Sequence, residues 1–110
     1  MAELNERQQQ LLTEPNLAHV VTLMKDGMPQ STPVWVDYVD GYMLINTAKG
    51  RQKARNLVRN PRIALSVVDR NRLGNYVEVR GRVVEMTREG ADEHYAFLAR
   101  KYFGRTPNLA

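Results

Sequence analysis

A chain of 110 residues is long enough for one packed core and too short for two, so residues 1–110 are read as a single domain. Apolar residues at 43% and charged residues at 25% belong to a folded globular chain, which excludes disordered and collagen-like classes. Cysteine is absent, which removes disulfide scaffolds, thiolate-bound metals and thiol nucleophiles and agrees with a cytoplasmic location. Apolar runs such as Ile63-Ala64-Leu65 are far below the roughly 20 residues of a membrane-spanning helix, and the polar residues 1–10 lack a signal-peptide core.

Asn5 and Gln8 have capping-box spacing and predict a first helix over Glu6–Thr13, which Pro15 ends. The β-branched stretch 17–24 predicts a strand that turns at Asp26-Gly27, where positive φ angles suit a tight hairpin. A second strand over 29–38 carries Pro33, which cannot donate to a ladder and therefore requires an edge, a bulge or a ligand beside it. Asp40-Gly41 turns the chain into a third strand over 42–47, completing a meander. From 50 to 60 the period becomes helical, with Ala54, Leu57 and Val58 on one side and Arg51, Arg55 and Arg59 on another. Asn60-Pro61 stops this helix, and 62–69 reads as a strand rich in Ile, Leu and Val. After a polar loop over 70–74, residues 76–86 alternate with Val77, Val79 and Val83 on one face and Tyr76, Glu78, Arg80 and Arg82 on the other. Thr87 is placed to cap a last helix over 88–103, with Ala91, Tyr95, Leu98, Ala99 and Tyr102 as its apolar stripe and Gly104 just beyond its end. Five strands and three helices, without a repeat or a linker, predict a mainly β fold: a small antiparallel barrel flanked by helices.

Charge gives the sharpest functional signal. Lys49, Arg51, Lys53, Arg55, Arg59 and Arg62 supply six of the sixteen cations in a segment with no Asp or Glu, and this segment alone makes the net charge of +4 positive. It begins where a strand gives way, through Thr47, Ala48 and Gly50, to a helix N-terminus, a place where free amides and guanidinium groups hold phosphate or carboxylate. On a regular helix Lys53 points about 200° away from Arg51, so the two converge only if the helix starts between them or a ligand wraps its first turn. A solvated basic helix face is the alternative reading of the same pattern. His19 reads as a structural strand residue and His94 as solvated or interfacial; neither has metal-ligand spacing to a carboxylate cluster, so no metal site is assigned.

The succession Pro29-Gln30-Ser31-Thr32-Pro33-Val34-Trp35, then Thr47-Ala48-Lys49-Gly50-Arg51-Gln52-Lys53-Ala54-Arg55-Asn56-Leu57-Val58-Arg59-Asn60-Pro61-Arg62, then Tyr76-Val77-Glu78-Val79-Arg80-Gly81-Arg82 resembles the pyridoxamine 5′-phosphate oxidase-like split-barrel flavoproteins. Within them it is most similar to the branch that uses the deazaflavin coenzyme F-420. The resemblance runs in order over nearly the whole chain and implies an antiparallel, FMN-binding type of split β-barrel that forms a homodimer with cofactor at the subunit interface. It implies that Arg51 and Lys53 hold the cofactor's phosphate tail, that Thr47 and Ala48 offer loop contacts, and that Ser31, Thr32, Pro33, Val34 and Trp35 lie along the ring. Lys49 and Arg55 are further cations for a longer, carboxylate-bearing tail. Relatives continue past the position of Ala110 into another strand, so the barrel is read as lacking the family's last one.

The implied activity is hydride transfer between reduced deazaflavin and an electron-poor small molecule, with the cofactor carrying the redox chemistry. Tyr38 and Tyr76 are conceivable proton donors but read first as ordinary strand residues, and no catalytic side chain is assigned. An FMN-binding flavoprotein is the alternative within the class. A non-catalytic cofactor binder and a nucleic-acid-binding barrel are the alternatives outside it, the latter disfavoured because no aromatic residue lies between Lys49 and Arg62 to stack a base.

Overall fold

The computed structural model describes residues 4–46, 51–86 and 90–103. Helix α1 spans Glu6–Thr13; strands follow at β1 (Ala18–Leu23), β2 (Pro29–Val34), β3 (Val36–Val39) and β4 (Tyr42–Ile45). Helix α2 (Gln52–Arg59) precedes β5 (Arg62–Asp69) and β6 (Arg72–Arg82), and α3 covers Ala91–Phe103.

Asn5 caps α1 as its spacing predicts: the side chain accepts from the Gln8 N–H, and the Gln8 side chain accepts from the Asn5 N–H at 2.9 Å. Leu11 and Leu12, on one side of its last turn, are buried. Both hairpins form, with different turns. Asp40 and Gly41 take φ of 53° and 84°, the positive pair of a two-residue turn, and Val39 pairs with Tyr42. In the first hairpin only Gly27 is positive, because the Asp26 carboxylate instead accepts from the Met28 N–H at 3.0 Å and supports a longer loop.

The expected meander is divided. The stretch 29–38 is two strands that part at Trp35: β2 ends a four-stranded antiparallel sheet in the order β2-β1-β5-β6, whereas β3 pairs only with β4 in a second sheet. Tertiary contacts explain the break. The Val36 N–H donates to the Tyr102 hydroxyl at 3.1 Å and its carbonyl accepts from Lys101 Nζ at 2.6 Å, so α3 meets the backbone where the chain changes sheets. Among the described residues six strands therefore stand where five were expected, and the two sheets they form are open.

Pairing begins again earlier than expected after β5, with Asp69 opposite Arg72 across a short turn instead of a loop over 70–74. The inner face of the larger sheet carries Ala18, Val20, Val34, Leu65, Val67 and Val77, and against it lie Leu11 and Leu12 of α1 and Val36 of the second hairpin. The alternation foreseen for β6 holds, with Val77 buried and Tyr76, Glu78, Arg80 and Arg82 exposed. Thr87, Arg88 and Gly104 lie outside the described residues; α3 starts after Gly90, whose φ is 75° and whose carbonyl accepts from the His94 N–H. Its Leu98 is fully buried.

Leu12 is fully buried where α1 meets both sheets. Leu12→Ala is expected to lower unfolding free energy by about 2–5 kcal/mol, read as a shifted urea midpoint with an unchanged slope.

Candidate functional site

Helix α2 is two turns long, below the length at which an isolated helix persists in water, so its place is fixed by what it packs on. The inward side differs from the expected one. Val58 is 76% exposed, while Asn56 joins Ala54 and Leu57 in burial. Asn56 Nδ2 donates to Thr22 Oγ1 at 3.0 Å and to Gln30 Oε1 at 3.4 Å, reaching β1 and β2 together. Its Oδ1 accepts from Gln52 Nε2 at 2.8 Å and from Arg59 Nη2 at 3.0 Å. The sequence reading passed over this residue because an Asn beside a basic helix face looks like solvated surface; the available signal was Gln52, one turn earlier.

The cations of this segment then divide. Arg59 donates to the Leu23 carbonyl at 3.0 Å, Arg55 to Gln52 Oε1 at 2.5 Å, and Arg62 to Asn60 Oδ1 at 3.3 Å. The Arg51 and Lys53 side chains have no hydrogen bond or salt bridge among the described residues. Arg51 is the N-cap residue, with extended backbone and no capping bond from its side chain, so the helix begins between the two cations. Lys53 is half-buried, and its pKa lies below the usual 10.5, first because burial disfavours the ammonium and second because the Arg51 guanidinium repels it. The helix start thus gathers unneutralised positive charge beside backbone amides that have no side-chain cap. Thr47, Ala48 and Lys49 fall outside the described residues.

The four candidate residues on β2 face two ways. Ser31 and Pro33 are exposed on the outer face, while Val34 is buried and Thr32 half-buried on the inner face, opposite Val20. β2 is an edge strand, which is how Pro33 is accommodated without a ladder bond. The Thr32 hydroxyl is buried and has no hydrogen-bond partner, an exception to the rule that buried polar atoms are paired. Gln30, the neighbour of Thr32 along that face, is the residue that meets Asn56, so the orphaned hydroxyl and the start of α2 share one side of the sheet. Trp35 is half-buried and stacks on Tyr102 with ring centroids 5.5 Å apart and planes 16° apart.

The histidines do not join this group. His19 is exposed on the outer face of β1. Of the two readings of His94, solvated or interfacial, the first does not hold: its Nε2 is buried, without a hydrogen bond among the described residues, and 3.7 Å from Asp37 Oδ2. Tyr38 packs against the core and Tyr76 is 58% exposed. Among the described residues no group of three or more His, Asp or Glu is arranged to hold a metal ion, and no helix is long and apolar enough to cross a membrane.

Two open antiparallel sheets around one core, with a short basic helix inserted before β5, define a split barrel. The chain belongs to the pyridoxamine 5′-phosphate oxidase family, whose model matches residues 4–108. Among solved structures it is similar to an F420 reductase, with 30% identity over 97% of this chain and 85% of that one and a TM-score of 0.87. The fold also matches an FAD-binding protein from Mesorhizobium loti (22% identity, 87% of this chain and 71% of that one, TM-score 0.62). It matches a heme-binding protein from Mycobacterium smegmatis as well (17% identity, 94% of this chain and 48% of that one, TM-score 0.66). No curated protein matches the chain at a significant level.

Asn56→Ala would leave Thr22, Gln52 and Arg59 without their shared partner in a buried setting. The expected cost is about 2 kcal/mol or more, with faster amide hydrogen exchange in α2 than in β5 as the accompanying sign.

Proposed function

We propose that the chain is a deazaflavin-dependent oxidoreductase that acts on an electron-poor small molecule, working as a homodimer with cofactor at the subunit interface. The observation that carries this reading is the pair Arg51 and Lys53, held at the start of α2 without a counter-charge among the described residues. The buried Thr32 hydroxyl on the same side of β2 supports it, as does the likeness to an F420 reductase.

Arg51 and Lys53 would hold the phosphate of the tail, using charge-assisted hydrogen bonds together with the N–H groups of the first turn. Arg55 and Lys49 would serve carboxylates further along, with Thr47 and Ala48 giving loop contacts. Ser31 to Trp35 would lie along the ring, where Thr32 offers an unused hydroxyl and Pro33 removes a backbone donor from the edge. When bound, a reduced deazaflavin supplies hydride to the substrate. The chain's own part is to bind, orient and exclude water, and no side chain is assigned as an acid or base.

Titration with coenzyme F-420 and, separately, FMN, followed by Trp35 fluorescence, tests the reading. Submicromolar binding of the deazaflavin that weakens when its tail is shortened is the expected result. Preference for FMN would move the protein to the flavin branch, and binding of heme alone would remove the oxidoreductase assignment.

Replacing Arg51 and Lys53 together by Gln is expected to weaken cofactor binding by about 2–4 kcal/mol with little change in unfolding free energy. A pH dependence follows from the lowered Lys53 pKa. The ammonium form binds the anion, so affinity falls as pH rises through that lowered value, earlier than for a lysine at 10.5. A bound anion offsets the Arg51 repulsion and raises the Lys53 pKa, so binding in this range takes up a proton. In Lys53→Arg the alkaline fall in affinity should disappear, as calorimetry across the pH range would show.

A further inference from the structure

A second concentration of cations lies away from α2, where α1 meets the hairpin of β5 and β6. The register across that hairpin shifts between Val68, which pairs with Tyr76, and Asp69, which pairs with Arg72. Leu73, Gly74 and Asn75 of β6 therefore have no counterpart on β5. A bulge of this kind bends a strand and redirects its side chains, and such bulges often mark sites. Here it opens a cavity of about 480 Å³ lined by Arg7, Arg72, Gly74 and Asn75.

The cavity has a braced wall. Arg7 Nη1 donates to Asn75 Oδ1, and Asn75 Nδ2 donates to Asp69 Oδ2 at 3.1 Å, so the amide is fixed in one orientation and holds the Arg7 guanidinium from one side. Asp69 is turned to the hairpin: its carboxylate accepts from the Asn71 N–H at 2.8 Å and does not line the cavity. These bonds, the Asn71 N–H first and then the Asn75 amide, hold Asp69 ionised below its usual range. The hairpin tip is tied to the end of α1 as well, since the Arg70 N–H donates to Asn16 Oδ1 at 2.9 Å and Arg70 Nη1 to the Pro15 carbonyl at 3.3 Å. Two guanidinium groups thus face one space with no carboxylate among its described lining residues. The Asp69 charge attracts Arg72 through space, but among the described residues the Arg72 side chain has neither a hydrogen bond nor a salt bridge.

We propose that this cavity is a second anion site, separate from the start of α2, that takes a compact dianion bearing phosphate or paired carboxylates. Arg7 and Arg72 neutralise the two charges, and Gly74, without a side chain, leaves the backbone open to close approach. The site is independent of the cofactor reading, since it stands on other elements and other cations.

The test is calorimetry on the full chain at low salt with inorganic phosphate and, separately, succinate, with amide chemical shifts followed at Gly74 and Asn75. In an R51Q/K53Q background, where the α2 site is disabled, at least one probe should still bind and shift those two amides. Adding R7Q/R72Q should weaken that binding about tenfold or more, as expected for lost charge-assisted bonds. If the added pair abolishes the cooperative thermal transition, Arg72→Gln alone should still weaken the same binding. Which probe binds tighter distinguishes a phosphomonoester from a dicarboxylate. Loss of all binding in R51Q/K53Q, binding indifferent to R7Q/R72Q, or shifts confined to α2 would each overturn the proposal.

Discussion

The buried amide of Asn56 is the contact on which the candidate cofactor site depends. Eight residues of helix with five cations in and around it have little tendency to persist alone, and the segment holds only Ala54 and Leu57 as buried apolar anchors. Asn56 uses both ends of its amide, donating to Thr22 and Gln30 and accepting from Gln52 and Arg59, so one side chain ties the helix to two strands and to itself. The direction in which α2 begins, and with it the location of Arg51 and Lys53, follows from that tie. Arg59 strengthens it from the other end by reaching the Leu23 carbonyl.

Holding the helix there has an electrostatic cost. Lys53 is drawn half out of water and placed within reach of the Arg51 charge, and both effects disfavour its ammonium form. Arg59 is bonded to the Leu23 carbonyl of β1 and becomes part of the scaffold, whereas Arg55 is bonded to Gln52 of its own helix, on an exposed face. The distinction between structural and available cations cannot be drawn from charge density alone. It follows from which guanidinium groups find a carbonyl or amide oxygen on a neighbouring element, and that depends on packing.

Sequence periodicity was informative where a signal is local. The Asn5–Gln8 capping box, the Asp40-Gly41 turn, the alternation of β6 and the bounds of β5 each depend on residues within a few positions of one another, and each forms as read. It was uninformative where the partner is distant. Val58 looked apolar and inward, yet the inward position belongs to Asn56 because its amide partners lie on β1 and β2. The division at Trp35 has no local marker, since the groups that meet Val36 come from Lys101 and Tyr102, more than sixty residues later. Within the candidate site, the family likeness and the charge run pointed to the segment around α2, while the orphaned Thr32 hydroxyl and the unpaired state of the Arg51 and Lys53 side chains among the described residues emerged only with the fold.

These contacts together explain how β2 can be an edge strand and still be well placed. It has one ladder neighbour, β1, and its Pro33 lacks an N–H to offer on either side. Near its start it is held by Gln30, which meets the Asn56 amide. Just beyond its end, Trp35 stacks on Tyr102 and the Val36 backbone is bonded to Tyr102 and Lys101. Lys101 also bridges to the Leu12 carbonyl at 2.8 Å, so α3 ties this end of β2 to α1. Burial of Lys101 lowers its pKa and the neighbouring Asp37 charge opposes that shift, which marks how far the ammonium has been taken from water to make these bonds. Side chains from two helices thus do at the ends of β2 what a second strand would do along its length. Among the described residues, the stretch between them, Ser31 to Val34, has no second ladder neighbour, so its position is fixed from its two ends and from β1 alone.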